Sequence, residues 1–458
     1  MSRENHPLIE NYQAWSPRSA EIMQRGKVVF PGGDTRASAH FSPYPLVMER
    51  GEGCHLYDVD GHEFLDFMNN FTSLIHGHAH PETVKAITHQ APLGCAFAAP
   101  SSSQIELAEL IVSRVPSIEQ MRFCSSGSEA TLMALRCSRA ISGRQKIMKM
   151  EGGYHGSYEL AEVSLVPVPG LRGDIDHPNS IPVDKSFPDS VLNDTVICPY
   201  NEPDLARALI NEHANDLAAV IVEPILGSMG MIPATTEFLQ ALRDETTRND
   251  IILIFDEVIT LRQSGGGEQE RHGVIPDLTC MGKIIGGGLP VGGMGGNKDL
   301  MQVFNPDAKD TVMHASTFSG NAMTMAAGLA CMSNFTGEDS LRINALGDRL
   351  RNGFNGILNQ HGIKGQAIGS GSLSNIIFSS DPIHDARDAM QGMTAAGHIG
   401  ALLHLGMLRN GVVSASRLMY CISTPMGENH VDQAVTALSE TLGELRPYIE
   451  AERPDLLL

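Results

Sequence analysis

A lysine set among methionine, isoleucine and glycine is out of place as a surface charge. Lys283 stands in CMGKIIGGGLP (residues 280–290), after a short apolar approach from Ile275 to Met281, broken by Pro276 and Asp277, and within a stretch holding eight glycines between Gly282 and Gly296. That setting points to chemistry rather than solvation, and the reaction open to a lysine amine is attack on a carbonyl.

Three further features complement it. In FCSSGSEATLMALRCSRA (123–140), an apolar strand ends in Ser125, Ser126, Gly127 and Ser128 and passes into a helix. The N–H groups and positive dipole end of such a helix start suit an anion, phosphate above all, although the same pattern serves as a plain N-cap. In IILIFDEVITLR, Asp256 closes an apolar run, where open α/β sheets bind ligands; a strand-end turn or a helix cap is the plainer alternative. In EGGYHGS, Tyr154 and His155 follow a strand and two glycines, and the tyrosine ring could stack on a flat ligand or simply be buried in a loop. A lysine, a carboxylate, an aromatic plate and a phosphate cradle together match pyridoxal 5′-phosphate (PLP). Its aldehyde binds an amine, its ring nitrogen needs an acid and its phosphate needs N–H donors.

The elements that must position these groups follow from the hydrophobic pattern. Apolar runs predict strands at 121–124, 146–150, 196–199, 217–222 and 251–255, and helical spacing separates most of them, as at 129–141 and 236–247. Strands alternating with helices predict an α/β domain with a mostly parallel sheet covered on both faces. Hairpin material precedes Asn69, with strands expected at 46–48, 55–58 and 63–67. Helices at 341–361 and 431–451 flank short strands at 374–378 and 419–422. The expected organisation is therefore an N-terminal segment 1–69, a large domain 70–336 and a C-terminal segment 337–458, the two ends pairing as a small α+β domain. Residues 167–190, with five prolines, read as a long surface loop or an active-site cover.

At 458 residues and 42% hydrophobic, the chain can bury a large core. The formal charge of −20 argues against nucleic acid. No run of eighteen apolar residues and no secretory leader pattern is present, so membrane insertion is not expected and the cytoplasm is. The eight cysteines are scattered without zinc-ligand spacing; reduced thiols and no metal are expected.

The motifs SSGSEAT, YHGS, VEPILGSMG, IFDEVIT, GKIIGGGLPVGG and STFSGNAMTMAAG occur in the order found in class III, fold-type-I PLP-dependent aminotransferases, and the chain resembles that family from Phe30 to Ser423. The resemblance implies a large PLP-binding domain built on a mostly parallel, seven-stranded type of sheet flanked by helices. It implies that Lys283 holds the cofactor covalently and Asp256 meets the pyridine nitrogen. Val258 and Tyr154 would cover the two ring faces, with His155 beside them. Ser126, Gly127 and Ser128 would bind the phosphate, and Thr317 would reach the phosphate of a partner subunit's cofactor across a homodimer interface. Glu223, in VEPILGSMG, would face the substrate or pair with a mobile arginine, or only order the loop from Ile225 to Gly230.

Arginine is the natural clamp for a carboxylate, which singles out Arg36 in PGGDTRASAHF and Arg417 in VSASRLMYCIS, with Arg409 as the competitor for the second role. The segment PGGDTR resembles aminotransferases of β-amino acids such as β-phenylalanine, whereas glutamate-1-semialdehyde aminomutases have an Asn-Ser-Pro-Val-Arg-like stretch there. The expected reaction is a transfer between a β-amino acid, or a related ω-amine, and a 2-oxo acid. An aminomutase, or a lyase or racemase on the same fold, is the alternative. A Rossmann-type dehydrogenase is a worse fit, because GGGLPVGGMGG follows the lysine without a G-x-G-x-x-G between strand and helix and without an acidic ribose partner in place.

Overall fold

The computed structural model describes residues 6–458 and divides them into two compact units: a large one of residues 81–341 and 384–390, and a small one holding the rest. The expected limits at 69/70 and 336/337 are displaced, for local reasons. Residues 69–80 stay in the small unit because Asn69 Nδ2 donates to the Cys421 carbonyl and Thr424 N–H to that of Ile75. Residues 384–390 return to the large unit, where Asn201 Nδ2 holds the His384 carbonyl and Arg387 pairs with Glu151.

The large unit is built on seven strands: β1 (Gln120–Cys124), β2 (Lys146–Met150), β3 (Thr195–Cys198), β4 (Leu217–Val222), β5 (Ile252–Asp256), β6 (Leu278–Gly282) and β7 (Gly292–Gly296). They lie in the order β1-β7-β6-β5-β4-β2-β3, all parallel except β7, which runs against both its neighbours. β4 and β5 are buried throughout, which explains their uninterrupted apolar sequences.

β6 and β7 lie outside the strands expected from sequence. β7 reads GGMGG, a composition with low strand propensity. Its glycines are required by close approach. A Cβ at Gly292 would lie 1.9 Å from the Ser126 carbonyl oxygen, and one at Gly296 2.3 Å from that of Asp277.

Helix α1 (Gly127–Ser142) follows β1. Ser126 caps it by accepting the Glu129 N–H at 3.2 Å, the Glu129 carboxylate accepts the Ser125 N–H at 2.8 Å, and Gly143 ends it at φ 69°. Its buried face, Ala130, Met133, Ala134 and Cys137, packs in the core with Ile147, Ala219, Ile254 and Cys280 from the sheet.

In the small unit, strands Met48–Glu52, His55–Asp58 and Glu63–Asp66 form an antiparallel meander, extended in parallel by Val412–Val413. The first of these lies later than the expected 46–48, because turn pairing with His55–Asp58 sets the register through Glu52. A second antiparallel sheet joins Gln366–Ser370, Leu373–Ile377 and Met419–Cys421. Helices Pro7–Trp15 and Pro17–Val29, absent from the sequence reading, open the described chain; Tyr12 anchors the first in a core with Phe64, Leu405 and Leu408.

One backbone feature of this unit stands apart. Asn69, Asn70, Phe71 and Thr72 all have positive φ, at 48°, 47°, 54° and 72°. Left-handed helical geometry costs an L-residue roughly 1–2 kcal/mol, least for asparagine, so Phe71 and Thr72 are held against their preference. The constraint comes from buried neighbours. Asp66 Oδ1 accepts the N–H groups of Met68 and Asn69, both at 2.9 Å, while Asp66 Oδ2 meets His78 Nε2 at 2.7 Å.

Candidate active site

The strand-end residues of the large sheet carry the site. Asp256 is the last residue of β5 and is 5% exposed. His155 Nδ1 donates to its Oδ2 at 2.9 Å and Val258 N–H to its Oδ1 at 3.1 Å, so the carboxylate is oriented at both oxygens. Burial lowers the pKa of His155 against the opposing pull of Asp256, and its Nε2 is buried without a hydrogen-bond partner among the described residues. His155 thus stands behind the carboxylate.

Lys283 directly follows β6, half-buried, with φ 49°, a left-handed conformation unusual for its residue type. Val258 packs beside it: a Cβ at Gly282 would lie 3.3 Å from one Val258 methyl, and a Cβ at Gly127 3.1 Å from the other. These two glycines bring the valine against both the turn that starts α1 and the residue before Lys283.

The loop holding Tyr154 and His155 is fixed at nearly every residue. Lys149, fully buried on β2, donates from Nζ to the carbonyls of Gly153 at 2.8 Å and Val163 at 2.6 Å. Glu223 Oε1 accepts the Tyr154 N–H at 2.9 Å and its Oε2 the Gly227 N–H at 3.2 Å. Thr131 Oγ1 donates to the His155 carbonyl, and Ser128 Oγ accepts the Ser157 N–H at 3.2 Å. Glu151, just before the two glycines, is paired with Arg387 through both carboxylate oxygens at 2.7 and 3.1 Å.

Two of these groups have strongly displaced protonation. Burial, reinforced by the charge of Asp256, raises Glu223 to about 8, while its N–H donors and Lys283 oppose the shift. Burial lowers Lys149 to about 7 against the pull of Glu223, Glu151 and Glu162. Sequence reading passed over Lys149, Glu151 and Arg387. The signal available was a lysine inside the apolar strand KIMKM, which a solvated side chain would not occupy.

The large unit thus brings Ser126, Gly127, Ser128, Tyr154, His155, Glu223, Asp256, Val258 and Lys283 to the ends of adjoining strands. Thr317 is exposed on a loop, and the neighbouring Ser316 Oγ lies 3.4 Å from Ser125 Oγ. The arginines belong to the small unit. Arg36 is exposed and donates from Nη1 to Asn70 Oδ1 at 3.0 Å. The Arg417 guanidinium lies 5.6 Å from the Phe71 ring centroid. Arg409 instead faces Glu444, at 3.6 Å.

The donor set fits PLP: an amine for the aldehyde, a buried, doubly oriented carboxylate for a ring N–H, and the open N–H groups of the first turn of α1 for a phosphate. A buried parallel sheet with these groups at its strand ends defines a fold-type-I PLP-dependent enzyme.

Comparison with known proteins gives the family. The class-III aminotransferase family matches residues 37–441, and the chain belongs to it; its cofactor is pyridoxal phosphate. A glutamate-1-semialdehyde 2,1-aminomutase from Desulfotalea psychrophila is 38% identical over 438 residues, covering 93% of this chain and 97% of that protein. Among solved structures, an omega-transaminase from Sphaerobacter thermophilus is 42% identical with a TM-score of 0.88, covering 93% of this chain and 98% of the other. A β-phenylalanine aminotransferase from Variovorax paradoxus is 33% identical with a TM-score of 0.86, covering 96% of each chain.

Outside this site, Cys54, His55 and His430 have potential ligand atoms within 4.8 Å of one another. His430 Nδ1 accepts the Gly427 N–H at 2.9 Å, which leaves the ring proton on Nε2, toward Cys54 Sγ. That tautomer opposes metal binding through Nε2. All eight cysteines are free, and no helix among the described residues is long and apolar enough to cross a membrane.

Proposed function

We propose that this enzyme is a transaminase moving an amino group between a β-amino acid, or a related ω-amine, and a 2-oxo acid. The observation that carries the reading is the pairing of Arg36 and Arg417 with adjacent residues of one turn, Asn70 and Phe71. Guanidinium groups at these two positions suit a carboxylated amine and a carboxylated acceptor. The likeness to the omega-transaminase and to the β-phenylalanine aminotransferase supports it. Arg409, engaged with Glu444, is the weaker candidate.

In this reading Lys283 attaches the cofactor, and Ser126, Gly127 and Ser128 hold its phosphate. Tyr154 and Val258 cover its ring, and Asp256 meets the ring nitrogen, with His155 acting through Asp256. Bound PLP supplies a conjugated ring that takes up an electron pair when the amine-bearing carbon loses its proton. Once the incoming amine has displaced it from the cofactor, Lys283 Nζ would take that proton and return it. Asp256, oriented by His155 and Val258, would present its carboxylate to the ring N–H. Glu223, raised to about 8 and so largely in its acid form near neutrality, fixes the Tyr154 backbone by accepting its N–H.

The enzyme would work in the cytoplasm as a homodimer with shared active sites, free of membrane and nucleic acid. Met313 and Phe318, 74% and 61% exposed on the Thr317 loop, support burial of that loop against a second copy.

A second reading has its own support. The curated relatives, 35–38% identical, are named glutamate-1-semialdehyde 2,1-aminomutases, and those names weigh toward an aminomutase that returns the amino group to the same carbon skeleton. The deciding experiment titrates the PLP-loaded protein with β-phenylalanine and no 2-oxo acid, following cofactor absorbance. Conversion to the amine form of the cofactor, reversed by 2-oxoglutarate or pyruvate, is the transaminase result. An unchanged spectrum, with sustained turnover of glutamate-1-semialdehyde in the absence of any oxo acid, is the aminomutase result.

A further inference from the structure

The left-handed turn from Asn69 to Thr72 and the two arginines meet at the same place in the small unit. Arg36 donates to Asn70, Arg417 lies against Phe71, and Leu418, directly after Arg417, is itself at φ 64°. Strained backbone persists only where its surroundings over-determine it, and it gathers at functional sites. Here the surroundings are explicit. Asn69 is fully buried with its amide on the Cys421 carbonyl, Asp66 takes the two N–H groups leading into the turn, and Thr72 N–H returns to the Met68 carbonyl at 3.0 Å. The exposed Asn70 and the half-buried Phe71 are what this framework presents.

Their chemistry is specific. The Asn70 amide oxygen is a neutral acceptor; it engages one of the five guanidinium hydrogens of Arg36 and leaves the cation and its other donors intact. The Phe71 ring attracts the Arg417 guanidinium through its π face, again without neutralising it. A carboxylate at either position would hold an arginine as well but would compete with a carboxylated ligand. We propose that the turn Asn69–Thr72 is a specificity element in which Asn70 and Phe71 are positioning residues, presetting Arg36 and Arg417 for the carboxylates of the amine and the 2-oxo acid. This rests on the reading of the two arginines given above.

The test uses the PLP-loaded enzyme and its calorimetric affinity for 3-phenylpropionate, a carboxylate with no amine to react, alongside KM for an uncarboxylated amine. Asn70→Gly keeps the left-handed backbone without strain and removes only the acceptor. It is expected to weaken 3-phenylpropionate roughly 3- to 10-fold, the worth of one hydrogen bond, with KM for the uncarboxylated amine within about twofold and an unchanged melting temperature. Asn70→Asp, which places a competing charge on Arg36, is expected to weaken it more than about tenfold. Phe71→Leu is expected to raise KM for the 2-oxo acid several-fold. Arg36→Ala separates this inference from its parent. If that variant loses affinity while both Asn70 variants stay within about twofold of wild type, the turn does not position the arginine and the proposal is overturned. If Arg36→Ala itself binds normally, the carboxylate reading falls and this inference falls with it.

Discussion

Substituting Gly292 by alanine tests how tightly the sheet and the anion site are joined. Gly292 begins β7, pairs with Gly282 on one side and Cys124 on the other, and is buried. The added methyl would stand 1.9 Å from the Ser126 carbonyl oxygen and 2.4 Å from its carbon, both backbone atoms of the residue that caps α1. To reach even the 3.0 Å limit of real Cβ contacts, that carbonyl must retreat by about 1.1 Å, carrying the start of Gly127 with it. Overpacking of this kind destabilises by roughly 1–3 kcal/mol. A displacement of about 1 Å in a positioned group can reduce function on the order of a hundredfold. The expected result is a lower melting temperature and at least about tenfold weaker PLP binding, measured by titrating the apoprotein with cofactor. Gly293→Ala is the control, because its methyl would press only on the Met121 side-chain end, at 3.3 Å, which can move, and would meet the Ile285 methyl and the Arg122 carbonyl oxygen at ordinary contact distances of 3.5 and 3.6 Å. A Gly292→Ala protein that melts and binds PLP like wild type would refute the link between β7 and the cradle.

Lys149→Met leaves the carbonyls of Gly153 and Val163 without their donor; a loss of about 2–4 kcal/mol in urea unfolding is expected, together with slower turnover from a loosened Tyr154 loop. An equally stable variant would remove Lys149 from the framework. Glu223 binds a proton in the folded state up to about pH 8, whereas the unfolded chain releases it near 4.5. The native state therefore holds more protons across that window, and stability contributed at this position falls as pH rises from about 4.5 to 8. Against Glu223→Gln, wild-type melting temperature should decline across this interval; parallel curves would show that Glu223 does not titrate there. Lys283→Ala is expected to abolish steady turnover while PLP still binds, and normal turnover would end the assignment of Lys283.

Much of the site was legible because its chemistry is local in sequence. A carboxylate closing an apolar strand, a Ser-Gly-Ser helix start and a lysine among glycines each announce themselves within a dozen residues. The strands Lys146–Met150 and Leu217–Val222 were readable to the residue because burial on both faces demands an apolar run. The glycine strand β7 was not, since nothing in GGMGG favours a strand until the Ser126 and Asp277 carbonyls approach it. Lys149 was hidden for a similar reason, as its partners are carbonyls that any residue could supply.

By itself, the sequence determined the alternation of strands and helices, the family resemblance and the residue types fit for PLP, because these depend on periodicity and short-range order. Only the tertiary structure decided that His155 stands behind Asp256, that Glu223 and Lys149 fasten the Tyr154 loop, and that Arg36 and Arg417 meet neighbouring residues of one left-handed turn. Apart from the short-range contacts of Lys149, those relations join positions from 34 to 346 residues apart, 34 between Arg36 and Asn70 and 346 between Phe71 and Arg417, and such distances in the chain carry no pattern until packing closes them.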